Sequence, residues 1–239
     1  MQKVKRDARS HPLALCDEDI ANHIVSAISN QQLPPGTKLG EVQLGAVFGV
    51  SRTRIRQVLF RLATAKVITI SLNRGAMVAR PTPAEAREVF DARRIIETAI
   101  AAQLATAITP FHLARLRKHL GAENAARTTG DYRTLVRLTG IFHVLIAEMA
   151  GNSVLADMLR ALVARSSLII ALYPTSHPAT CPPDEHRALI DSLADQDAAR
   201  AAKLMRRHLE HVEDALDLDG PVARNIDLKA VFTDLRMKA

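Results

Sequence analysis

The sequence predicts a mainly α-helical protein in two parts: a small amino-terminal head of three helices and a β-hairpin, then an all-helical bundle. Three observations carry this prediction. Apolar residues recur at helical spacing through most of the 239-residue chain, with breaks at Gly, Pro, Asn and Asp. Hydrophobic residues make up 48% of the chain but aromatics only 3%, and Trp is absent. Such a core is built from Ala, Leu, Ile and Val, which suits packed helices better than a β-sandwich. Finally, the β-prone runs Val67–Ile70 and Ala76–Ala79 are joined by Ser71-Leu72-Asn73-Arg74-Gly75, the pattern of a small hairpin.

The head is justified element by element. Residues 1–16 read as a disordered basic arm carrying Lys3, Lys5, Arg6 and Arg9. A first helix is expected over Asp17–Asn30, with Ile20, Ile24, Ala27 and Ile28 as its buried stripe. Its leading acids Asp17, Glu18 and Asp19 suit a helix N-terminus. Leu33-Pro34-Pro35-Gly36 is a turn that ends in Lys38-Leu39. A second helix over Glu41–Phe48 places Leu44 and Val47 on one face, and Gly49 ends it in the left-handed backbone that glycine tolerates. Ser51 is the natural N-cap of a third helix, Arg52–Leu62. There Ile55, Val58, Leu59 and Leu62 share one side, and Arg52, Arg56 and Gln57 the other, with Arg54 next to them. A short basic helix docked on a partner helix is what a helix-turn-helix presents to the major groove, where Arg bonds guanine in bidentate fashion. The hairpin then serves as a wing, bringing Arg74 and the Gly75 backbone near a phosphate or the minor groove. Residues 17–80 are thus expected to form a winged helix-turn-helix DNA-binding domain.

Many surface helices carry several arginines without touching nucleic acid, so charge distribution matters more than the helix alone. From Val42 to Ala84 there is no Asp or Glu, while Arg52, Arg54, Arg56, Arg61, Lys66, Arg74 and Arg80 all fall there. A solvated face normally mixes signs; a one-sign block of this length is an electrostatic footprint for a polyanion. The net charge of +7 agrees.

Pro81-Thr82-Pro83 reads as a stiff linker, residues 81–83. Residues 84–218 then read as helices at about 84–107, 110–127, 131–150, 152–172, 184–195 and 197–217. Pro110 starts one of them, and Gly130-Asp131 and Gly151-Asn152 are stop and cap pairs. The prolines of 173–183 mark a long loop, with Asp184 as candidate cap of the next helix. Residues 219–239 form an extension in which 226–238 is a possible helix, with Leu228, Val231, Phe232 and Leu235 on one face. Two cysteines, Cys16 and Cys181, make no disulfide framework, the amino terminus has no apolar signal segment, and no apolar run approaches 18 residues. A cytoplasmic protein with no membrane span is expected.

Three histidines of the bundle have informative contexts. His143 is mid-helix, on a face with Thr139, Ile146 and Ala150; His186 opens a helix in Asp184-Glu185-His186; His208 lies near the end of the last bundle helix. Imidazoles from three helices converging in a bundle are a recurrent way to hold Zn²⁺. Against that, a histidine on an apolar helix face is more often hydrogen-bonded core, and spacing does not prove that the three meet.

The whole chain resembles the GntR family of bacterial transcription regulators, in the FadR-like branch with an FCD effector-binding domain. In the head the resemblance rests on Leu33–Leu39, on Val50-Ser51-Arg52-Thr53-Arg54-Ile55-Arg56-Gln57-Val58-Leu59 and on Arg74-Gly75. In the bundle it rests on Arg93-Arg94-Ile95-Ile96-Glu97, Phe142-His143, Gly151-Asn152, Glu185-His186-Arg187-Ala188-Leu189 and Arg207-His208-Leu209. It implies a homodimer on a short palindromic operator, with DNA contacts at Ser51, Arg52, Thr53 and Arg56. A further family contact, often Arg, falls on Val42 and is missing or replaced, with Arg54 the candidate replacement. The resemblance implies metal ligands at His143, His186 and His208. The family's Asp falls on Thr139, and a neutral hydroxyl is a poor carboxylate substitute; Cys181 is an alternative donor. Three imidazoles still suit Zn²⁺ or Ni²⁺. Arg93 matches a family arginine lining the effector cavity, where it would grip a carboxylate, with Thr139 and Asn152 beside it; a simple pair with Glu97 at i+4 is the bland reading.

The reading is therefore a ligand-responsive regulator, a repressor before an activator, whose affinity for DNA is set by a small organic acid. Rival readings are an all-helical three-histidine metalloenzyme and an architectural DNA binder without effector. Against the enzyme, Glu185 is the one carboxylate near the histidines in sequence that resembles a general base.

Overall fold

A computed structural model of the protein describes residues 15–29, 32–173, 182 and 184–219. In the head, α1 (Asp17–Ser29), α2 (Glu41–Phe48) and α3 (Arg52–Thr64) enclose one core with β1 (Lys38–Leu39), β2 (Ile68–Ser71) and β3 (Gly75–Val78). The wing is a three-stranded antiparallel sheet in the order β1-β3-β2, with Ser71 opposite Gly75 and Lys38 opposite Met77. The sequence reading had the hairpin but left Lys38-Leu39 in a turn. Two residues carry no readable period, and they pair with β3 through the tertiary fold.

The turn between α2 and α3 forms as its residues dictate. Gly49 takes φ 66° and donates its N–H to the Gly45 carbonyl, closing α2. The Ser51 side chain accepts from the Arg54 N–H, capping α3. Gly45 permits the close approach of the two helices: a Cβ there would stand 2.9 Å from the Val50 carbonyl oxygen. Leu44 is buried, but Val47 is 54% exposed and does not share its role as expected. In an eight-residue helix, three residues of separation rotate Val47 past the edge of the narrow contact with α3.

The bundle comprises α4 (Pro83–Ala107), α5 (Pro110–Thr128), α6 (Tyr132–Met149), α7 (Ser153–Leu172), α8 (Glu185–Ala194) and α9 (Ala198–Asp214). Side chains of Thr109, Asp131, Asn152 and Asp197 each cap the helix that follows, whereas Asp184 stands at the cap position of α8 without a side-chain cap bond. The core gathers Leu104, Leu116, Phe142, Ile146, Leu189 and Leu209 from five helices. Among the described residues, no helix is long and apolar enough to cross a membrane. Residues 1–14 of the expected arm at 1–16, the loop thiol Cys181 and the helix at 226–238 lie outside the described residues.

The expected linker is shorter than read. Pro83 is already in the first turn of α4, and Thr82 caps that helix reciprocally with Glu85. The Tyr173 hydroxyl donates to the Pro81 carbonyl at 3.0 Å. A second contact joins the two parts: Ala164 and Leu168 of α7 are buried in the core of the head. The neighbouring residues Val163, Ser166, Ser167 and Ile170 of the same helix line a cavity inside the bundle.

Candidate functional sites

In the head, α3 divides as the periodicity demands. Ile55, Val58, Leu59 and Leu62 are buried, while Arg52, Thr53, Arg56 and Gln57 are exposed. At the wing, Arg74 and Gly75 are exposed, with Gly75 at φ 72°. The arginines are not bare. Both oxygens of Glu41, the first residue of α2, accept from Arg56, at 2.8 Å from Nε and 2.8 Å from Nη2. Arg52 Nη2 lies 3.7 Å from the same carboxylate. The Arg56 fork holds the Glu41 carboxyl below its ordinary value. Arg61 pairs with Glu18 at 3.1 Å.

Arg54 departs from its expected role. Its Nε donates to Asp17 and its Nη2 to the Leu15 carbonyl, so the side chain ties the start of α1 to α3. Arg54 sits one residue before Ile55 on the edge of the buried face, where α1 is within reach. Val42, where the family arginine falls, is 62% exposed. The stretch that is acid-free in sequence is thus edged in space by Asp17, Glu18 and Glu41, just upstream of it.

In the bundle, His143 of α6, His186 of α8 and His208 of α9 do meet, with one ligand atom from each within 4.8 Å of the others. All three are buried. Each Nδ1 faces a carboxylate: Glu97 of α4 at 2.5 Å from His143, Glu123 of α5 at 2.8 Å from His186, and Glu185 of α8 at 2.8 Å from His208. Phe142 stacks on His186 with 3.9 Å between ring centroids, fixing its plane. Burial outweighs the carboxylates at two imidazoles. It pushes His143 down from its ordinary pKa and His208 down to about 3. Burial by itself would raise the Glu97 and Glu123 carboxyls. Arg93 with His143, and His119 with His186, outweigh it and hold both at about 2.

The donor set fits a divalent ion. A carboxylate at Nδ1 keeps the proton there and turns the Nε2 lone pair inward. His208 Nε2 and His143 Nε2 then face each other at 3.2 Å, and two lone pairs so close need a proton or cation between them. His186 Nε2 is buried without a hydrogen-bond partner among the described residues.

Arg93 is buried and bonds Glu97 through Nε at 2.5 Å and Ser166 through Nη1 at 3.2 Å. The bland reading of this pair and the cavity reading therefore hold together. Arg93 lines the cavity with Thr139, Ser166, Ser167, His143 and His208. The Thr139 hydroxyl donates to the Val136 carbonyl at 2.9 Å. Asn152 is elsewhere: it is exposed, and its side chain accepts from the Leu155 N–H at the start of α7. It is not among the residues that line the Arg93 cavity. Sequence reasoning missed Glu123, and it did not see Glu97 as a histidine partner. The one signal for Glu123 was its i+4 spacing from His119, which lies 3.3 Å away.

Comparison with known proteins agrees with both halves. Residues 17–78 match the model of bacterial regulatory proteins of the gntR family, and residues 88–211 match the FCD domain. The chain belongs to the GntR family of transcriptional regulators, in the branch that carries an FCD domain. It is 25% identical over 188 residues to the HTH-type transcriptional repressor RspR of Escherichia coli strain K12, covering 77% of this chain and 81% of that one. It is 24% identical over 190 residues to a probable D-xylose utilization operon transcriptional repressor of Paenarthrobacter nicotinovorans, covering 80% and 84%. The fold matches the crystal structure of a putative transcriptional regulator GntR from Rhodococcus sp. RHA1, with TM-score 0.73 and 23% identity over 83% of this chain and 95% of that one. These relatives are regulators, not enzymes, so the three-histidine metalloenzyme reading falls. The carboxylates near the histidines face Nδ1 atoms and serve to orient the imidazoles.

Proposed function

We propose that this protein is a homodimeric repressor whose grip on a palindromic operator is set by a small carboxylate bound beside a divalent metal in the FCD domain. The observation that carries this reading is the meeting of two features: a cluster of three buried imidazoles, each facing a carboxylate, two of which, His143 and His208, line one cavity with the buried Arg93 guanidinium. Arg93 keeps Nη2 without a hydrogen-bond partner among the described residues. A planar fork of that kind suits a carboxylate.

His143, His186 and His208 would hold the ion, and neutral imidazoles favour Zn²⁺ or Ni²⁺. When bound, the metal would supply a fixed positive charge beside the cavity. Thr139 offers no carboxylate, so the negative charge balancing the ion comes from Glu97, Glu123 and Glu185 behind the ligands. In the head, Arg52, Thr53, Arg56 and Gln57 face the groove, Ser51 fixes the start of their helix, and the wing adds Arg74 and the Gly75 backbone.

An effector shifts DNA affinity only if it prefers one arrangement of the heads. Helix α7 is the element placed to transmit that preference, since Ser166 and Ser167 face the cavity while Ala164 and Leu168 are embedded in the head. Metal analysis of protein prepared without chelator tests the reading. About one divalent ion per chain is expected, with loss in His143→Ala. A thermal-shift screen of small organic acids should find a ligand whose stabilisation is lost in Arg93→Ala. Metal-free protein that no organic acid stabilises would overturn it.

A further inference from the structure

Glu41 accepts two hydrogen bonds from Arg56 at the surface of the head, and neither the family match nor the reading above gives it a role. We propose that Glu41 is a specificity-determining and positioning residue of DNA recognition: it braces Arg56 from the side and leaves the end of the guanidinium for a base. The inference rests on the reading that Arg56 enters a groove.

The geometry is specific about which hydrogens are used. A guanidinium has five N–H donors in a fixed plane. Glu41 takes the side edge, formed by Nε and Nη2, at 2.8 Å each. The end edge, one N–H from each Nη, stays unused by Glu41, and this is the edge that matches guanine O6 and N7. Arg56 is 54% exposed along its side chain and Glu41 26%, so the pair sits at the surface with its brace half sheltered. Glu41 is the first residue of α2, directly after the cap residue Gly40, so the start of that helix sets where its carboxylate stands.

Charge strengthens the argument. An Arg56–Glu41 unit is neutral as a whole, and Arg52 lies 3.7 Å from the same carboxylate. Non-specific binding is driven by positive charge that displaces counterions from phosphates. A braced arginine contributes little to that, yet it keeps its two end hydrogens for a base edge. Glu41 therefore suppresses indiscriminate binding while holding Arg56 in the orientation that reads sequence. Arg61 with Glu18 provides an internal control, because it pairs another arginine of α3 with a carboxylate, here of α1, through a single contact at 3.1 Å.

The test uses the full-length protein, an operator selected from random duplexes by the wild type, and a scrambled duplex. Glu41→Gln removes the charge, Glu41→Ala the whole brace, and Glu18→Gln makes the same charge change elsewhere. In Glu41→Gln the ratio of selected to scrambled affinity should fall about three- to tenfold, the scale of one unit charge a few ångströms away in water. Binding to the scrambled duplex should strengthen, with a steeper salt dependence by about one phosphate contact. Glu41→Ala should lose at least as much, and Glu18→Gln should keep the wild-type ratio. A ratio within twofold of wild type in both Glu41 variants overturns the proposal, as does an equal fall in Glu18→Gln. If selection enriches no sequence, or Arg56→Ala binds the selected duplex as the wild type does, the DNA-reading role of Arg56 fails, and the brace fails with it.

Discussion

The head and the bundle solve the same problem in opposite media. In the head, carboxylates hold arginines at the surface: Arg56 with Glu41, Arg52 beside them, Arg61 with Glu18, with arginine exposures of 54% to 64%. In the bundle, carboxylates hold imidazoles and one arginine where no side chain of the Arg93, Glu97 and His143 chain exceeds 5% exposure. An exposed pair is weak and screened by salt, and it leaves donor edges of the guanidinium open to an incoming phosphate or base. A buried chain is fixed, because removing one member strands another charge away from water. The contrast matches the proposed roles, since a DNA surface needs donors within reach of solvent and an effector cavity needs a fixed shape.

The comparison is broken most severely at Glu97. Glu97→Ala leaves Arg93 buried without its anion and His143 without its orienting partner. A loss of about 3–5 kcal/mol in stability is expected by urea denaturation. A loss under about 1 kcal/mol would mean that the buried chain is no more fixed than a surface pair.

Acid should act on the bundle before the head. His208 is held at about 3 and His143 is lowered, against about 6.5 for a histidine in the unfolded chain. The folded state thus binds fewer protons than the unfolded state between these values. Stability is complete above about pH 6.5 and falls as pH drops towards 3, by about 1.4 kcal/mol per pH unit for each such group at most. Melting curves of metal-free protein from pH 7 to pH 4 check this. Flat melting temperatures would show that the imidazoles are not buried neutral.

Arg56→Ala and Arg52→Ala test the other side. Each should cost about 1–3 kcal/mol in operator binding by gel-shift titration while leaving the melting temperature nearly unchanged. The smallest effect is expected at Glu18→Gln. Removing that exposed partner of Arg61 should change stability by less than about 1 kcal/mol.

Much of this was legible in the chain itself. Helical spacing, Gly49, Ser51, Thr109, Asp131 and Asn152 locate element ends because caps and left-handed stops are local chemistry. The division of α3 into a buried side and an arginine side follows from 3.6-residue periodicity. The same local rule explains the failures. Val47 was placed inward by spacing, but the width of a helix contact is set by its neighbour. Arg54 was placed at the DNA surface, but α1 bends back beside it and supplies Asp17 and the Leu15 carbonyl. Asn152 was assigned to the effector although its own side chain completes a helix cap.

By itself the sequence determined the family, the order of helices and the three histidines, because periodicity, capping and short motifs are encoded within a few residues of one another. Only the tertiary structure decided which carboxylate orients each imidazole, that Glu41 rather than open solvent meets Arg56, and that α7 belongs to both cores. Those pairings join residues as far apart as 63 positions, as in Glu123 with His186. Contacts of that separation depend on how whole helices pack, and no local pattern records it.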